Sequence, residues 1–436
     1  MDSTAQTLNE RWPPWRKIVF RFFFIYFAFT ISPWTWLNAI PGVSNVTDLV
    51  DRLIDIIVQA ANKKYFHVRE VLVYPNGSGD TSWAWAQTWT LISIALIGCI
   101  LWSVIDRKRH GYFHLNYWLC LFIRYYVAMV SFSYGILKLF ALQMFFPNLS
   151  QLATPLGDFL PMRLSWMFIG YSAPYQVFSG VMETTVGLLL LYRRTATLGI
   201  LMATAVFMNV FMLNLSYDIP VKLYSLHIVI LCLFLLVNES QRILHFFILN
   251  KHAPASTIYY YPFRKKWMRI GRIVLKTAFI IIAVGLQFYN MIDYYKFAHP
   301  AAVKQPIQTG VYAVNVFAVN KDTIPYSNTD SLRWQDIIFD QASLGSIKTA
   351  DTAYRQRYKR AYFYYSFDST RSSLDFKKFQ SDSLFIASFR YAQPDSNTVL
   401  LWGRQHNDSL YVELKRTHRH FQLAEKQFHW LSEANR

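Results

Sequence analysis

Between residues 18 and 292 the chain alternates long apolar runs with short polar loops. About seven runs approach the roughly 20 residues that a helix needs to cross a bilayer. They are Ile18–Ile40, Thr88–Ile105, Leu119–Phe146, Tyr175–Tyr192, Thr197–Leu215, Leu223–Val237 and Ile273–Ile292. The sixth is short, with Ser240–Leu249 as an interfacial extension, and the fourth has a possible earlier start in Trp166–Tyr171. A different period occupies the loop after the first run. In Val46–Ala61, Leu49, Leu53, Ile56, Ile57 and Ala60 recur at helical spacing, while Asp51, Arg52, Asp55 and Gln59 take other faces. This predicts an amphipathic helix on the bundle or the membrane surface, capped by Thr47.

The period changes again near Ala301. Thr309–Asn320, Tyr362–Phe367, Leu384–Tyr391, Thr398–Gly403 and Ser409–Leu414 read as strands separated by turn residues, with Asn407-Asp408 as a hairpin tip and Phe421–Trp430 as a last strand entering a short capped segment. The expected fold is an α-helical transmembrane bundle over residues 1–300, followed by a small all-β domain, sandwich or barrel, over 301–436.

Composition narrows this picture. The 436 residues are 53% hydrophobic and only 16% charged, which suits a membrane protein carrying a soluble part. The net charge of +18 is concentrated in clusters beside the apolar runs. Arg11, Arg16, Lys17 and Arg21 precede the first, Arg107–Arg109 follow the second, Arg193–Arg194 follow the fourth, and Arg264–Lys266, Arg269 and Arg272 precede the seventh. All fall on one face if the N-terminus is cytoplasmic. Seven crossings then put the β domain outside the bacterial inner membrane. Topology explains the basic balance, so no nucleic-acid partner is expected. The first run has no small-residue cleavage site and is expected to stay as an anchor. Cys99, Cys120 and Cys232 all lie in apolar runs without a CxxC, which points to buried structural thiols.

Ionisable groups inside apolar runs are the candidate chemistry, because an unpaired charge at membrane depth costs several kcal/mol. Arg124, Ser131 and Lys138 are seven apart and share a face, with Tyr134 and Gly135 one turn before Lys138. Lys138 is a candidate base; the competing reading is a lysine that snorkels to the interface. Ser172, Gln176, Ser179, Glu183 and Gly187 form a small, polar stripe on the next helix. Glu183 reads as a proton carrier or ligand anchor, or as a structural partner of Lys138 or Arg124. Gln143 and Asn209 are added as candidate ligand contacts. Asp218 and Lys222 flank a turn, as an interfacial pair or as the outer mouth of the same pocket. Asn76–Thr81 reads as a glycine-rich turn, with Asp80 or Thr81 capping the following helix or with its backbone N–H groups offered to an anion. His227 is the one histidine well inside a run, so a bis-histidine haem is not expected, and no metal-binding motif stands in the spans. Arg333-Trp334 and Phe428-His-Trp430, with Glu433 and Arg436, read as core aromatics with a peripheral salt bridge, or as a docking surface.

The segment from about Trp102 to Leu236 resembles the DoxX-like membrane proteins through YGILKLFALQ (134–143), LGDFLPMRLSWMFIGYSAPYQVFSG (156–180), Glu183, LLLLYRRT (188–195) and YDIPVK (217–222). That resemblance implies association with thiosulfate:quinone oxidoreduction or thiol-redox complexes. More distantly, Gly135-x-x-Lys138-Leu139 is similar to an element of the helical domain of vitamin K-dependent γ-carboxylases, where an intramembrane lysine deprotonates a quinol. The expectation is a quinone-binding pocket lined by Arg124, Tyr134, Lys138 and Glu183, in an oxidoreductase or its membrane subunit that works with a redox or envelope partner. The alternatives are a non-enzymatic scaffold whose β domain recruits that partner, and a small-solute or proton transporter.

Overall fold

In the computed structural model the described residues are 11–39, 44–77, 79–253, 263, 265–299, 305–327, 332–368, 370–405, 407–426, 428–431 and 433. Ile40, Ser78, Arg264, the boundary at 301–304 and Arg436 lie outside them. The chain divides into two compact units, residues 1–143 with 174–295, and residues 144–173 with 296–436.

The first unit is helical. Its main helices are α1 (Pro14–Ile31), α2 (Ser44–Ala61), α3 (Ser82–Ile105) and α4 (Phe113–Leu139). After α5 (Pro161–Tyr171), which belongs to the second unit, come α6 (Ala173–Leu191), α7 (Ala196–Ser216), α8 (Lys222–Asn238), α9 (Lys266–Ile280) and α10 (Gln287–Ala298). Among the described residues, five helical stretches are long and apolar enough to cross a membrane: 14–36, 82–105, 113–139, 196–216 and 266–298. The stretch 222–248 qualifies as a sixth only if a 71° bend after α8 lies within one span. The polar stripe of α6 keeps it out of that set. Apolar side chains such as Ile97, Ile100, Leu198, Val274 and Ile282 point outward from these helices, as lipid-facing residues do.

Several predicted details change. Thr47 lies inside α2 and donates to Ser44 O at 2.8 Å, so it is no N-cap. Arg21 is 4% exposed rather than a loop charge, and it donates to Tyr112 Oη, Ser103 Oγ and Asp106 O, each at 2.8 Å. Buried arginine is tolerable there because its donors are satisfied. Trp166–Tyr171 is not the start of the fourth run; it sits in α5, which Ser172 separates from α6.

The second unit is a closed barrel. Its strands are β1 (Gly310–Val319), β2 (Asp322–Thr323), β3 (Asp336–Phe339), β4 (Leu344–Ile347), β5 (Arg355–Arg357), β6 (Arg360–Asp368), β7 (Ser373–Lys377), β8 (Ala387–Ala392), β9 (Thr398–Gln405) and β10 (Asp408–Arg416). All pairings are antiparallel between chain neighbours, and β10 returns to β1, so eight staves close on themselves with β2 and β5 attached at the side. Alternation fills the interior: Phe363 and Tyr365 on β6, Leu374 and Phe376 on β7, and Leu410, Val412 and Leu414 on β10 all point in. Eight strands leave room for side chains and little else. The barrel alternative of the sequence reading is thus the observed one. Of the strand and short capped segment expected over 421–430, the described residues show a short helix, Gln422–Glu425, and no strand.

The insert 144–173 is part of this unit, so the boundary near residue 300 does not describe it alone. Leu149 and Ala153 pack on Val311 and Ile338, whose side chains form a small cluster apart from the interior. Ser150 N donates to Asp340 Oδ2 at 3.1 Å, and Ser150 and Ser346 bond through their hydroxyls at 2.8 Å. Burial pushes the Asp340 carboxyl above its usual range, and the backbone N–H groups of Ser150 and Gln341 pull it partly back. Lys359 reaches Asp158 at 2.6 Å and Arg163 donates to Tyr358 Oη at 3.1 Å.

Candidate functional site

Glycine lets two helices touch at the site. A Cβ on Gly180 of α6 would stand 2.7 Å from Gly135 O and 2.8 Å from Leu139 N of α4, and one on Gly135 would stand 2.8 Å from Thr184 N. No side chain fits at such distances, so the backbones are in direct contact. One turn away, the Phe132 ring fills the space above Gly187. The order of contacts (Phe132 on Gly187, Gly135 on Thr184, Lys138 on Gly180) means that the helices run antiparallel.

That crossing joins Lys138 to Glu183. Helical side chains lean toward the N-terminus of their own helix. On antiparallel helices Lys138 and Glu183 therefore lean toward each other from adjacent turns. Lys138 Nζ donates to both carboxylate oxygens at 2.8 Å. Lys138 is 8% exposed and Glu183 2%. The lysine does not snorkel; its counter-charge is inside the bundle. The Tyr134 ring lies 5.6 Å from Nζ, and its other neighbour is the Tyr224 ring at 6.4 Å. Ser131 is buried and donates to its own helix at Val127 O. Gln176 of α6 accepts from Gln143 N at 3.1 Å, while Gln143 Oε1 and Thr184 Oγ1 are buried without a hydrogen-bond partner. The result is an ammonium paired with a carboxylate beside a tyrosine ring, with two buried polar atoms left unused in the adjoining segments. Such a group can hold an acceptor oxygen and exchange a proton with it.

The remaining predicted residues lie elsewhere. Arg124 is 14 positions before Lys138, about 21 Å along a helix at 1.5 Å per residue, so the two do not share a pocket. Its guanidinium lies over the Tyr125 ring, 5.6 Å from the centroid. Asn209 is exposed on the outer surface of α7. Lys222 pairs with Asp218 at 2.8 Å, and Asp218 is 82% exposed, so this pair is peripheral. Sequence reasoning gave Asp80 to the wrong helix. Thr81 caps α3, whereas Asp80 accepts from Lys222 N and Leu223 N at 2.9 Å and so caps α8. The turn's own Gly79 and Asp80 N–H groups donate to Pro220 O at 2.8 and 3.2 Å rather than to an anion. His227 bonds Tyr26 Oη at 2.5 Å and Leu223 O at 2.6 Å. The three cysteines are free and buried.

The Thr184 hydroxyl and the Tyr224 ring were not foreseen. Thr184 adjoins Glu183 in sequence, which is a weak signal; Tyr224 gives none, because only the packing of α8 brings it near.

No family model matches the chain, and no solved structure matches it. A stretch of 84 residues is 33% identical to the uncharacterized protein YwoB of Bacillus subtilis (strain 168), covering 19% of this chain and 54% of the relative. The chain thus spans about half the length of that curated relative, whose description assigns no activity.

Proposed function

We propose that this is a multi-pass inner-membrane protein of DoxX-like type, in which Lys138, Glu183 and Tyr134 bind a quinone headgroup and relay its protons. The carrying observation is the buried, bidentate Lys138–Glu183 pair beside a phenol. A quinone brings two carbonyl acceptors and an apolar tail, matching an ammonium donor set among apolar helices. A redox partner supplies the two electrons and water the two protons that reduction to a quinol requires; Lys138 donates each proton to a carbonyl oxygen and is reprotonated through Glu183, which takes the protons up from water. Quinone extracted from gently purified protein tests this. Wild-type protein is expected to carry it and Lys138→Ala to lack it; equal amounts in both count against the site.

Seven crossings, with the barrel outside, complete the proposal, and the parity of contacts supports them. Asp80 caps α8, so residues 80 and 222 belong on one side of the bilayer. Crossings by α3, α4 and α7 alone would separate them; adding α6 brings them back. Asn116 Nδ2 and Asn238 Oδ1, 3.0 Å apart, require an even count across α4, α6, α7 and α8. Ser150 and Asp340 require the same across α6, α7, α8 and the α9–α10 stretch. The Arg107–Arg109, Arg193–Arg194 and Lys265–Arg272 clusters then share the cytoplasmic face. An impermeant maleimide is expected to label Arg371→Cys in intact spheroplasts and Lys108→Cys only after lysis. The reverse pattern inverts the topology.

A scaffold role is the second reading. It is favoured by the union of insert and barrel into one unit, which the chain joins to the helical unit at three points, 143/144, 173/174 and 295/296. Under it, deletion of 301–436 abolishes function and Lys138→Ala spares it.

A further inference from the structure

In the N-terminal half of α4, about 21 Å along the helix from Lys138, Arg124 and Lys276 lie within electrostatic range of one another. Arg124 is mostly buried and its Nε has no hydrogen-bond partner. Its ionisable neighbours among the described residues are Tyr117, Cys120 and Tyr125, none of them a carboxylate. Tyr125 packs edge-on against Phe279 of α9 at 4.8 Å. That contact fixes α9 beside α4 and brings Lys276, one turn earlier, to the level of Arg124. Lys276 Nζ sits 3.6 Å from the centroid of the Tyr192 ring, at the end of α6, and both Arg124 and Arg272 act on it electrostatically. Glu239, a carboxylate within range of Cys120, already receives Arg242 Nη1 at 2.8 Å.

Like charges drawn together where α4, α6 and α9 meet repel one another unless an anion lies among them. The helix faces beside them are apolar and outward: Ile273, Val274 and Leu275 are all more than half exposed. A free phosphate has no use for such a wall, whereas an acyl chain does. Basic sites between helices on the cytoplasmic side hold the headgroups of anionic lipids in this way.

We propose that Arg124 and Lys276 bind the phosphate of an anionic phospholipid, in the leaflet that the topology proposed above makes cytoplasmic, its chains lying along α9. Arg124 offers a planar donor fork to the phosphate, and Lys276 supplies a point charge held over Tyr192. The site is independent of the quinone reading, because it shares no residue with it.

Native mass spectrometry of the full chain, exchanged from detergent into a mixture of phosphatidylglycerol and phosphatidylcholine, tests the proposal. Wild-type protein is expected to retain one phosphatidylglycerol in preference to phosphatidylcholine. At about a fivefold factor per basic residue, Arg124→Gln/Lys276→Gln should reduce that retention about 25-fold. Lys276→Gln alone, at a partly exposed position and with its fold checked by circular dichroism, should lose about fivefold. Equal retention of the two lipids by wild-type protein, or undiminished phosphatidylglycerol in Lys276→Gln, overturns the proposal. Displacement by millimolar inorganic phosphate would assign the site to a soluble anion and overturn it as well.

Discussion

Lys138→Met is expected to destabilise the helical unit by about 3–5 kcal/mol, the usual result of leaving one member of a buried pair without its partner. The magnitude follows from geometry. Both carboxylate oxygens of Glu183 accept from one Nζ, and the carboxylate is 2% exposed, so water cannot replace the lost ammonium. The Gly135–Gly180 contact holds α4 and α6 too close for the carboxylate to swing away. Lys138→Met/Glu183→Leu removes both charges and fills much of the same volume, so it should recover most of the loss. Unfolding in detergent, followed by circular dichroism, measures both. A single substitution within about 1 kcal/mol of wild type would mean that Glu183 is accommodated without Lys138. The double variant also separates stability from chemistry. If it is stable yet carries no quinone, the pair acts on the ligand; if it is stable and active, the pair only sets helix register.

How much of this was legible in the chain depends on range. Apolar runs gave the helices because lipid-facing and core-facing positions are both apolar, and a window over local sequence captures that. Lys138 and Glu183 were each recognisable, since an ionisable group in an apolar run is costly wherever it lies. Their contact was not, because they are 45 positions apart and only the meeting of Gly135 with Gly180 brings them together. Arg124 misled for the opposite reason. Sharing a face with Lys138 says nothing of the 14 residues of helix between them. Asp80 shows the same limit, since a cap usually serves the next helix, and here it serves one 142 positions away. In the barrel, β1, β6, β8, β9 and β10 were readable from alternation. Strands β3 and β4, with four residues each, and β7, with five, carry too few alternations to stand out. Nothing local marks 144–173 as a companion of the barrel.

Trp334→Ala is expected to cost the barrel about 3–5 kcal/mol, whereas Trp430→Ala should change stability by no more than about 0.5 kcal/mol. The sequence reading treated the two tryptophans alike, as core aromatics or as a docking surface. Trp334 is 1% exposed and Trp430 92%. Trp334 stands just before β3, not on a stave, and its ring enters the interior among Phe317, Tyr354, Phe376 and Phe389, with centroids 5.7 to 6.4 Å away. Its neighbour Arg333 is also buried, and Arg333 Nη2 donates to Val314 O of β1 at 3.2 Å. The pair thus ties the approach to β3 onto β1, next to the seam where β10 closes the sheet. Removing the indole leaves a cavity that surrounding rings, held on β1, β7, β8 and the bend before β5, cannot jointly fill. Because β1 closes the sheet through β10, loosening at this point frees both edges, so the barrel should unfold as a unit rather than fray. Near-ultraviolet circular dichroism of the full chain reads this loss. An unchanged melting temperature for Trp334→Ala would show that the aromatic interior repacks without it.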